Sequence, residues 1–150
     1  MANIATFGEI MLRLSPPDGE LLFQSPVLRA GFGGGEANVA VSLARLGHRS
    51  RWISVVPANP AGEAALGELR RHGVDTSAVV RGGKRLGLYF AETGSGARPS
   101  QVHYDREGSG LAEAGPGTIG WEAALAGMDL LHLTGITPAL SAKAAALTLE

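Results

Sequence analysis

The chain has 150 residues, of which 22 are glycine and none is cysteine, and its formal net charge is −1. This length supports one domain with its own hydrophobic core. The lack of cysteine excludes disulfides, thiolate metal ligands and a cysteine nucleophile, and the small net charge gives no reason to expect nucleic-acid or membrane binding. The sequence contains neither a targeting leader nor an apolar run of about 18 residues. We therefore expect a soluble, cytoplasmic protein whose partner is a small molecule or another protein.

The N-terminal region predicts three strands. Residues 4–7 form a short apolar run that ends at a glycine, and residues 11–14 remain extended until the turn sequence Ser-Pro-Pro-Asp-Gly. Residues 27–32 form the third extended candidate and lead into three consecutive glycines. The chain is thus expected to open with strands and a turn before its first helix.

Residues 36–46 are the clearest predicted helix. Val39, Leu43 and Leu46 form an apolar stripe at helical spacing, and Gly47 stands where a left-handed C-terminal cap belongs. Most other positions of this segment are also apolar, so we expect the helix to be covered on most sides.

Strands and helices then alternate. Residues 52–56 predict a buried strand, and a second helix begins after Asn59 with proline at its first position. Near the C-terminus, residues 129–133 predict another buried strand, and Ser141 caps a final helix that continues to residue 150. This alternation is typical of an α/β fold with a parallel sheet.

The segment between residues 78 and 106 interrupts the alternation. Residues 78–80, 86–91 and 101–105 are extended, and glycine-rich turns separate them. We therefore predict an antiparallel insertion into the α/β body.

The sharpest local motif is Gly-Gly-Gly-Glu-Ala-Asn at residues 33–38, which runs directly into the first predicted helix. Glycines at a helix N-terminus let backbone N–H groups approach a bound oxygen, and Asn38 adds a side-chain amide. The motif is neither a P-loop nor a dinucleotide-binding turn, since Gly-Lys-Ser/Thr is missing and Glu36 replaces a required glycine. A sugar fits it better than a pyrophosphate, but a turn without any ligand is an equal alternative.

A second candidate group lies in the insertion. Tyr89 falls within one predicted strand, and Tyr104, Asp105 and Arg106 end another. Alternation along a strand places Tyr104 and Arg106 on one face and Asp105 on the other. An arginine beside a tyrosine can bind a carboxylate or vicinal hydroxyls through paired hydrogen bonds. The alternative is an ordinary surface hairpin with aromatic cross-strand packing.

Metal binding is not expected from the histidines. They are far apart in sequence and none forms a zinc-binding helical pair. These four residues are His48, His72, His103 and His132.

Several motifs, taken together and in order, resemble bacterial 2-keto-3-deoxygluconate kinases of the ribokinase (PfkB) superfamily. They are the sequence Phe-Gly-Glu-Ile-Met-Leu-Arg-Leu-Ser-Pro-Pro at residues 7–17, the glycine motif extended to residues 33–40, the segments 87–90, 98–100 and 104–106, and His-Leu-Thr-Gly-Ile-Thr-Pro at residues 132–138. The resemblance covers nearly the whole chain in register.

This resemblance implies a fold and a site. The fold would be a three-layer ribokinase-like α/β sandwich, with residues 1–150 as its N-terminal portion and a small antiparallel β lid from about residues 11–32 and 78–106. The lid would close over the sugar and mediate a homodimer or higher oligomer. The residues implied to bind substrate are Gly34, Gly35, Glu36, Ala37 and Asn38, Tyr89 from the lid, and Tyr104, Asp105 and Arg106 at the sugar acid.

The resemblance also implies a reaction, the ATP-dependent phosphorylation of 2-keto-3-deoxygluconate to its 6-phospho form, with Mg²⁺ neutralising charge. The family's general-base aspartate lies in a Gly-Ala-Gly-Asp motif that is absent from this sequence. We therefore expect the catalytic aspartate and the nucleotide site in a C-terminal half outside this chain, and no kinase activity from these residues alone. The alternatives are a fructokinase or other PfkB sugar kinase, and a non-catalytic sugar-binding or dimerising fragment.

Overall fold

Nine strands and four helices follow one another in the computed structural model, which describes all of residues 1–150. The strands are β1 (Asn3–Phe7), β2 (Met11–Ser15), β3 (Arg29–Gly33), β4 (Arg49–Ile53), β5 (Val55–Val56), β6 (Val80–Arg81), β7 (Gly87–Glu92), β8 (Gln101–Asp105) and β9 (Leu130–His132). The helices are α1 (Gly35–Arg45), α2 (Pro60–Arg71), α3 (Trp121–Leu125) and α4 (Ala142–Leu149). None of the helices has the length and hydropathy needed to cross a membrane.

The body is a three-layer sandwich around a parallel sheet with strand order β4-β1-β9. Neighbouring residues of β4 point to opposite faces of this sheet. Trp52 packs in a core that includes residues of α1 and α2, whereas Ile53 packs in a second core with residues of α3 and α4. The predicted α/β sandwich is therefore confirmed.

The helix α1 confirms the helix predicted for residues 36–46, and Gly47 follows it with a φ of +85°. The predicted apolar stripe is wrong, however, because Leu46 is 76% exposed. The buried residues of α1 are Glu36, Ala37 and Ala40. Small side chains on this face let the helix approach the sheet closely, and the larger leucines lie away from it.

The buried strand predicted for residues 52–56 is divided in two. Its first part belongs to β4 in the main sheet, and its second part, β5, pairs in parallel with β6. The residues near 78–80 were expected to start the lid, but β6 lies in the body because Val80 pairs with Val55. The second part of the lid therefore begins at β7.

The lid is a four-stranded sheet with strand order β3-β2-β7-β8. Its outer pairs, β2–β3 and β7–β8, are antiparallel as predicted, but the central pair β2–β7 is parallel. The reason is that β2 and β7 both leave the body in the same direction, and β3 and β8 both return to it. The lid is thus two hairpin-like units that lie side by side.

Candidate functional site: a cavity between the lid and the body

A cavity of about 310 Å³ lies between the lid and the carboxyl end of the parallel sheet. Ligands of α/β proteins commonly bind at this edge of a sheet. The lining residues come from the segments after β1 and β9, from the start of α1 and from the lid. They are Glu9, Met11, Gly33, Gly34, Gly35, Glu36, Asn38, Tyr89, Val102, Tyr104, Arg106 and Ile136.

The glycine motif forms the junction between β3 and α1. Gly34 is the N-cap of α1 and no side chain caps this helix, so the N–H groups of its first turn have no intrahelical acceptor. A Cβ atom at Gly34 would overlap the backbone carbonyl of Glu9. Glycine is therefore required for the loop to pack against the segment after β1, which brings the open helix N-terminus and Asn38 to the cavity.

Glu36 lies in the first turn of α1 and is only 2% exposed. Its Oε1 accepts hydrogen bonds from the hydroxyls of Thr134, at 2.5 Å, and Thr137, at 3.5 Å. Both threonines follow β9, so this carboxylate connects the glycine motif to the far edge of the sheet. No arginine or lysine pairs with Glu36.

The two tyrosines are cross-strand partners in the lid. Tyr89 of β7 lies opposite Tyr104 of β8, and their ring centroids are 5.8 Å apart. Burial raises the pKa of Tyr89, and the neighbouring Tyr104 adds to this effect while the positive charge of Arg13 opposes it. Gly33 makes room for the Tyr89 hydroxyl, because a Cβ atom there would lie 2.6 Å from Tyr89 Oη.

Arg106 is the only arginine or lysine among the residues that line the cavity. Its Nε and Nη2 atoms both donate to Oε2 of Glu9, at 3.0 Å and 2.6 Å. Its Cζ atom lies 5.8 Å from the ring centroid of Tyr104, on the cavity side of the lid. Glu9 is 5% exposed, and its Oε1 accepts a hydrogen bond from the Ser109 hydroxyl.

Two of the predicted site residues do not line the cavity. Ala37 is 1% exposed and packs in the core beneath α1. Asp105 points away and forms two hydrogen bonds of 2.9 Å with Arg85, which lower the pKa of this exposed carboxyl. The strand alternation that separated Asp105 from its neighbours is therefore confirmed. The other seven predicted residues, Gly34, Gly35, Glu36, Asn38, Tyr89, Tyr104 and Arg106, come together around one cavity.

Glu9 and Ser109 were not among the residues predicted to bind substrate. Two signals pointed to Glu9: its place in the family motif at residues 7–17, and its position directly after a predicted buried strand, at the end of the sheet where ligands bind. Its partner Arg106 lies 97 residues further along the chain, and no local pattern links the two. Three apolar lining residues, Met11, Val102 and Ile136, were also not identified.

The chain contains no group of three His, Cys, Asp or Glu side chains arranged to hold a metal ion. The buried carboxylates of Glu9 and Glu36 already accept hydrogen bonds from an arginine and from hydroxyl groups. The cavity residues therefore do not fit Mg²⁺ as a ligand set.

Two kinases are similar to this chain over most of its length. The chain is 39% identical over 140 residues to the 2-dehydro-3-deoxygalactonokinase of Haloferax volcanii, an alignment that covers 93% of the chain and 44% of that protein. It is 36% identical over 145 residues to the 2-dehydro-3-deoxygluconokinase of Bacillus subtilis, covering 94% of the chain and 44% of that protein. The chain thus spans less than half the length of these relatives.

Solved structures give the same result for the fold. The 2-dehydro-3-deoxygluconokinase of Thermotoga maritima superposes with a TM-score of 0.96 at 44% identity, over 99% of this chain and 46% of that one. A sugar kinase of Pyrococcus horikoshii in complex with ATP superposes with a TM-score of 0.82 at 25% identity, over 97% of this chain and 47% of that one.

The family model described as pfkB family carbohydrate kinase matches residues 1–150. This match confirms the resemblance seen in the sequence motifs, and the structural neighbours confirm the ribokinase-like fold. The chain belongs to the pfkB family of carbohydrate kinases.

Proposed function

We propose that the protein carrying this chain phosphorylates 2-keto-3-deoxygluconate, also named 2-dehydro-3-deoxygluconate, to its 6-phospho form with ATP as donor. Residues 1–150 supply the sugar-binding part. The nucleotide site, the general base and any Mg²⁺ that accompanies ATP lie outside this chain, which spans 44% of its named relatives. The reaction takes place in the cytoplasm in this proposal.

The observation that carries the proposal is the position of Arg106. It is the one cationic side chain at a cavity otherwise lined by hydroxyl, amide, carboxylate and apolar groups. A sugar acid has one carboxylate and several hydroxyls, so it matches this distribution better than a neutral sugar does. The names of the two relatives point to the same class of substrate.

Each group at the cavity then has a task. Arg106 binds the carboxylate, while Asn38 and the free N–H groups of α1 bind the hydroxyls and the keto oxygen. Tyr89, whose pKa is raised further above neutrality by burial, donates a hydrogen bond from the lid. The lid excludes water and holds the primary hydroxyl in place, since positioning and electrostatics account for most of the catalysis in phosphoryl transfer.

An assay of the complete gene product tests this function. ATP turnover is measured with 2-keto-3-deoxygluconate, with its galactonate epimer and with fructose. We expect kcat/KM for the sugar acid to exceed that for fructose by at least about 100-fold, because a neutral sugar offers no carboxylate to Nη1 of Arg106, whose Nε and Nη2 atoms already bind Glu9. A comparable or higher value with fructose would instead identify a neutral-sugar kinase.

The galactonate epimer is the second candidate substrate. The relative from Haloferax volcanii, which has 39% identity, is named for that compound. The two sugar acids share the carboxylate, so the proposed role of Arg106 is the same for both. The ratio of their kcat/KM values in the same assay decides between them.

We also propose that residues 1–150 alone transfer no phosphate. The support is the family motif Gly-Ala-Gly-Asp, which does not occur in these residues. Purified residues 1–150, free of host kinases, are incubated with ATP and the sugar acid, and no ADP is expected. Formation of ADP in proportion to the amount of chain would contradict this proposal.

Finally, we propose that the protein forms a homodimer or higher oligomer through its lid. The lid and its turns expose several large apolar side chains, which a second copy could cover. These are Leu21, Phe23, Val27, Val102 and Tyr104. Light scattering of the complete gene product should give at least twice the monomer mass, and Phe23→Ser together with Val27→Ser should lower it. A monomeric wild-type protein would exclude this assembly.

A further inference from the structure

Glu9 is the centre of a hydrogen-bond network between the body and the end of the lid. It belongs to the segment between β1 and β2, whereas both of its partners follow β8. Oε2 accepts from Nε and Nη2 of Arg106, and Oε1 accepts from the hydroxyl of Ser109. Ser109 is itself held, because its Oγ accepts a hydrogen bond of 3.3 Å from the backbone N–H of Ala112. Both oxygens of this carboxylate are therefore occupied inside the protein.

This network determines which edge of the Arg106 guanidinium remains available. Two donors directed at one oxygen fix both the position and the plane of a guanidinium group. Nη1 of Arg106 forms no hydrogen bond within the chain, while Nε and Nη2 are engaged. Because Arg106 lines the cavity and its Nε and Nη2 atoms are directed at Glu9, Nη1 is the nitrogen atom that is left to bind a ligand there.

Pre-orientation matters because Arg106 is not fixed by burial alone. Its side chain is 24% exposed, compared with 5% for Glu9. A long side chain at that exposure can adopt several rotamers, and a ligand that must order it binds more weakly. Without Glu9, the guanidinium would be free to turn toward solvent.

We propose that Glu9 is a positioning residue that holds Nη1 of Arg106 toward the cavity and thereby sets the preference for a substrate with a carboxylate. The identity of the ligand in this inference rests on the proposed function. The contact between Glu9 and Arg106 does not depend on that function. Glu9 contacts neither the sugar nor ATP in this scheme, and it acts through Arg106.

Two substitutions in the complete gene product separate this role from a merely structural one. Glu9→Ala removes both acceptor oxygens, while Glu9→Gln retains an amide oxygen that can still accept from Nε and Nη2. Glu113→Ala is the matched control, because Glu113 pairs with Lys143 on the surface and its side chain is 55% exposed. Each variant is assayed with the sugar acid and with its carboxamide, which has the same shape without the charge.

We expect Glu9→Ala to lower the acid-to-amide ratio of kcat/KM by about 10- to 100-fold, the effect of losing an oriented hydrogen bond to a charged group. The loss should appear as a higher KM for the acid, with kcat little changed. Glu9→Gln should restore most of the ratio, and Glu113→Ala should leave it at the wild-type value. An unchanged ratio in Glu9→Ala, or an equal loss with both substrates, would overturn the proposal.

The orientation of Arg106 is also observable without any substrate. The Nε–H signal of Arg106 in a ¹⁵N NMR spectrum, assigned by its loss in Arg106→Lys, should exchange slowly in the wild type and in Glu9→Gln. In Glu9→Ala it should exchange as fast as the signals of exposed arginines. If the signal is as protected in Glu9→Ala as in the wild type, Glu9 does not position Arg106, whatever the substrate.

The two measurements also distinguish failure of this inference from failure of the proposed function. If the wild type has no preference for the acid over the amide, but the Arg106 signal responds to Glu9 as expected, the assigned substrate class is wrong and the positioning role stands. If the preference exists but the signal does not respond, the proposed function stands and the role of Glu9 is refuted.

Discussion

Two arginine–carboxylate pairs lie near the end of β8, one on the cavity side and one on the outer side. Arg106 and Glu9 approach to 2.6 Å, and their side chains are 24% and 5% exposed. Arg85 and Asp105 approach to 2.9 Å, and their side chains are 38% and 53% exposed. Both pairs join an arginine to a carboxylate. In the outer pair, water can hydrogen-bond to either side chain if its partner is removed, whereas the buried Glu9 carboxylate of the inner pair has little access to water.

A third pair has intermediate burial. Arg51 of β4 and Asp75 approach to 2.8 Å with side chains 12% and 29% exposed, and Arg51 also donates to the backbone oxygens of Ala124 and Ala126 near the end of α3. Breaking a buried pair leaves an uncompensated charge, whereas an exposed pair contributes little. The contribution of each pair should therefore follow its burial rather than its distance.

The largest effect is expected at the inner pair. Arg106→Met leaves the buried Glu9 carboxylate without a cation, and we expect the free energy of unfolding to fall by about 3 kcal/mol. Arg85→Met, at the outer pair, should cause a much smaller loss, because both partners of that pair are exposed to water. Urea denaturation of the complete gene product measures the free energy of unfolding of both variants. Equal losses would contradict the expectation that burial determines the contribution of each pair.

Glu36 is a second buried carboxylate on the cavity side. It can be compared with Glu9, because its partners are hydroxyl groups where Glu9 has an arginine. Thr134→Val removes the donor that lies 2.5 Å from Glu36 Oε1. Oε1 then keeps only the longer hydrogen bond from Thr137, at 3.5 Å. A fully unsatisfied buried acceptor costs about 1–3 kcal/mol, so we expect a loss near the lower end of that range, about 1 kcal/mol. Thr93→Val, at an exposed position in the lid turn, is the control and should be neutral by the same denaturation measurement.

The pair of intermediate burial, Arg51 and Asp75, should make the stability of the protein depend on pH. Burial raises the pKa of Asp75, but hydrogen bonds from Ser77 and Arg51 outweigh it and hold the pKa below the usual value of 3.8. A carboxyl whose folded pKa is depressed stabilises the fold above its unfolded pKa, and this contribution disappears as the pH falls through the folded value. Asp75→Asn should therefore be less stable than the wild type at neutral pH, and the difference should shrink below pH 3.8.

Thermal denaturation of the wild type and Asp75→Asn between neutral pH and about pH 2 measures this difference. A constant difference across the whole range would mean that the charge of Asp75 contributes nothing.

The smallest effect is expected for Asp105→Asn. The carboxyl is exposed and its partner Arg85 is also accessible to water, so we expect no measurable change in stability at neutral pH. Asp105 lies outside the cavity, so kcat/KM for the sugar acid should also stay the same. A clear loss of activity would place Asp105 at the substrate, as the family resemblance first implied.

The parts of the site that the sequence predicts correctly are those set by local rules. Strand alternation separates Asp105 from Tyr104 and Arg106, and a glycine run before a helix marks the open N-terminus of α1. Local rules cannot predict the contacts of Glu9, because its partners Arg106 and Ser109 lie 97 and 100 residues further along the chain.

In the fold, too, the features set by local rules are predicted correctly, and those set by contacts between distant segments are not. Alternation of strands and helices predicts the three-layer body, but the direction of each lid strand depends on which element it pairs with. The strands β2 and β7 lie side by side although their paired residues Met11 and Gly87 are 76 positions apart, far outside the range of a turn. The buried face of α1 likewise depends on the sheet beneath it, which selects Ala37 and Ala40 over the larger leucines.

The parallel pairing of β2 with β7 has a mechanical consequence. All four lid strands join the body at the same end of the lid sheet. At this end Met11 is paired with both Gly33 and Gly87, and β8 finishes at Asp105. The turns at residues 16–28 and 93–100 form the opposite, free end of the lid. A sheet that is attached along one end is displaced least at that end, so Arg106 lies where any bending of the lid would change its orientation toward the cavity least.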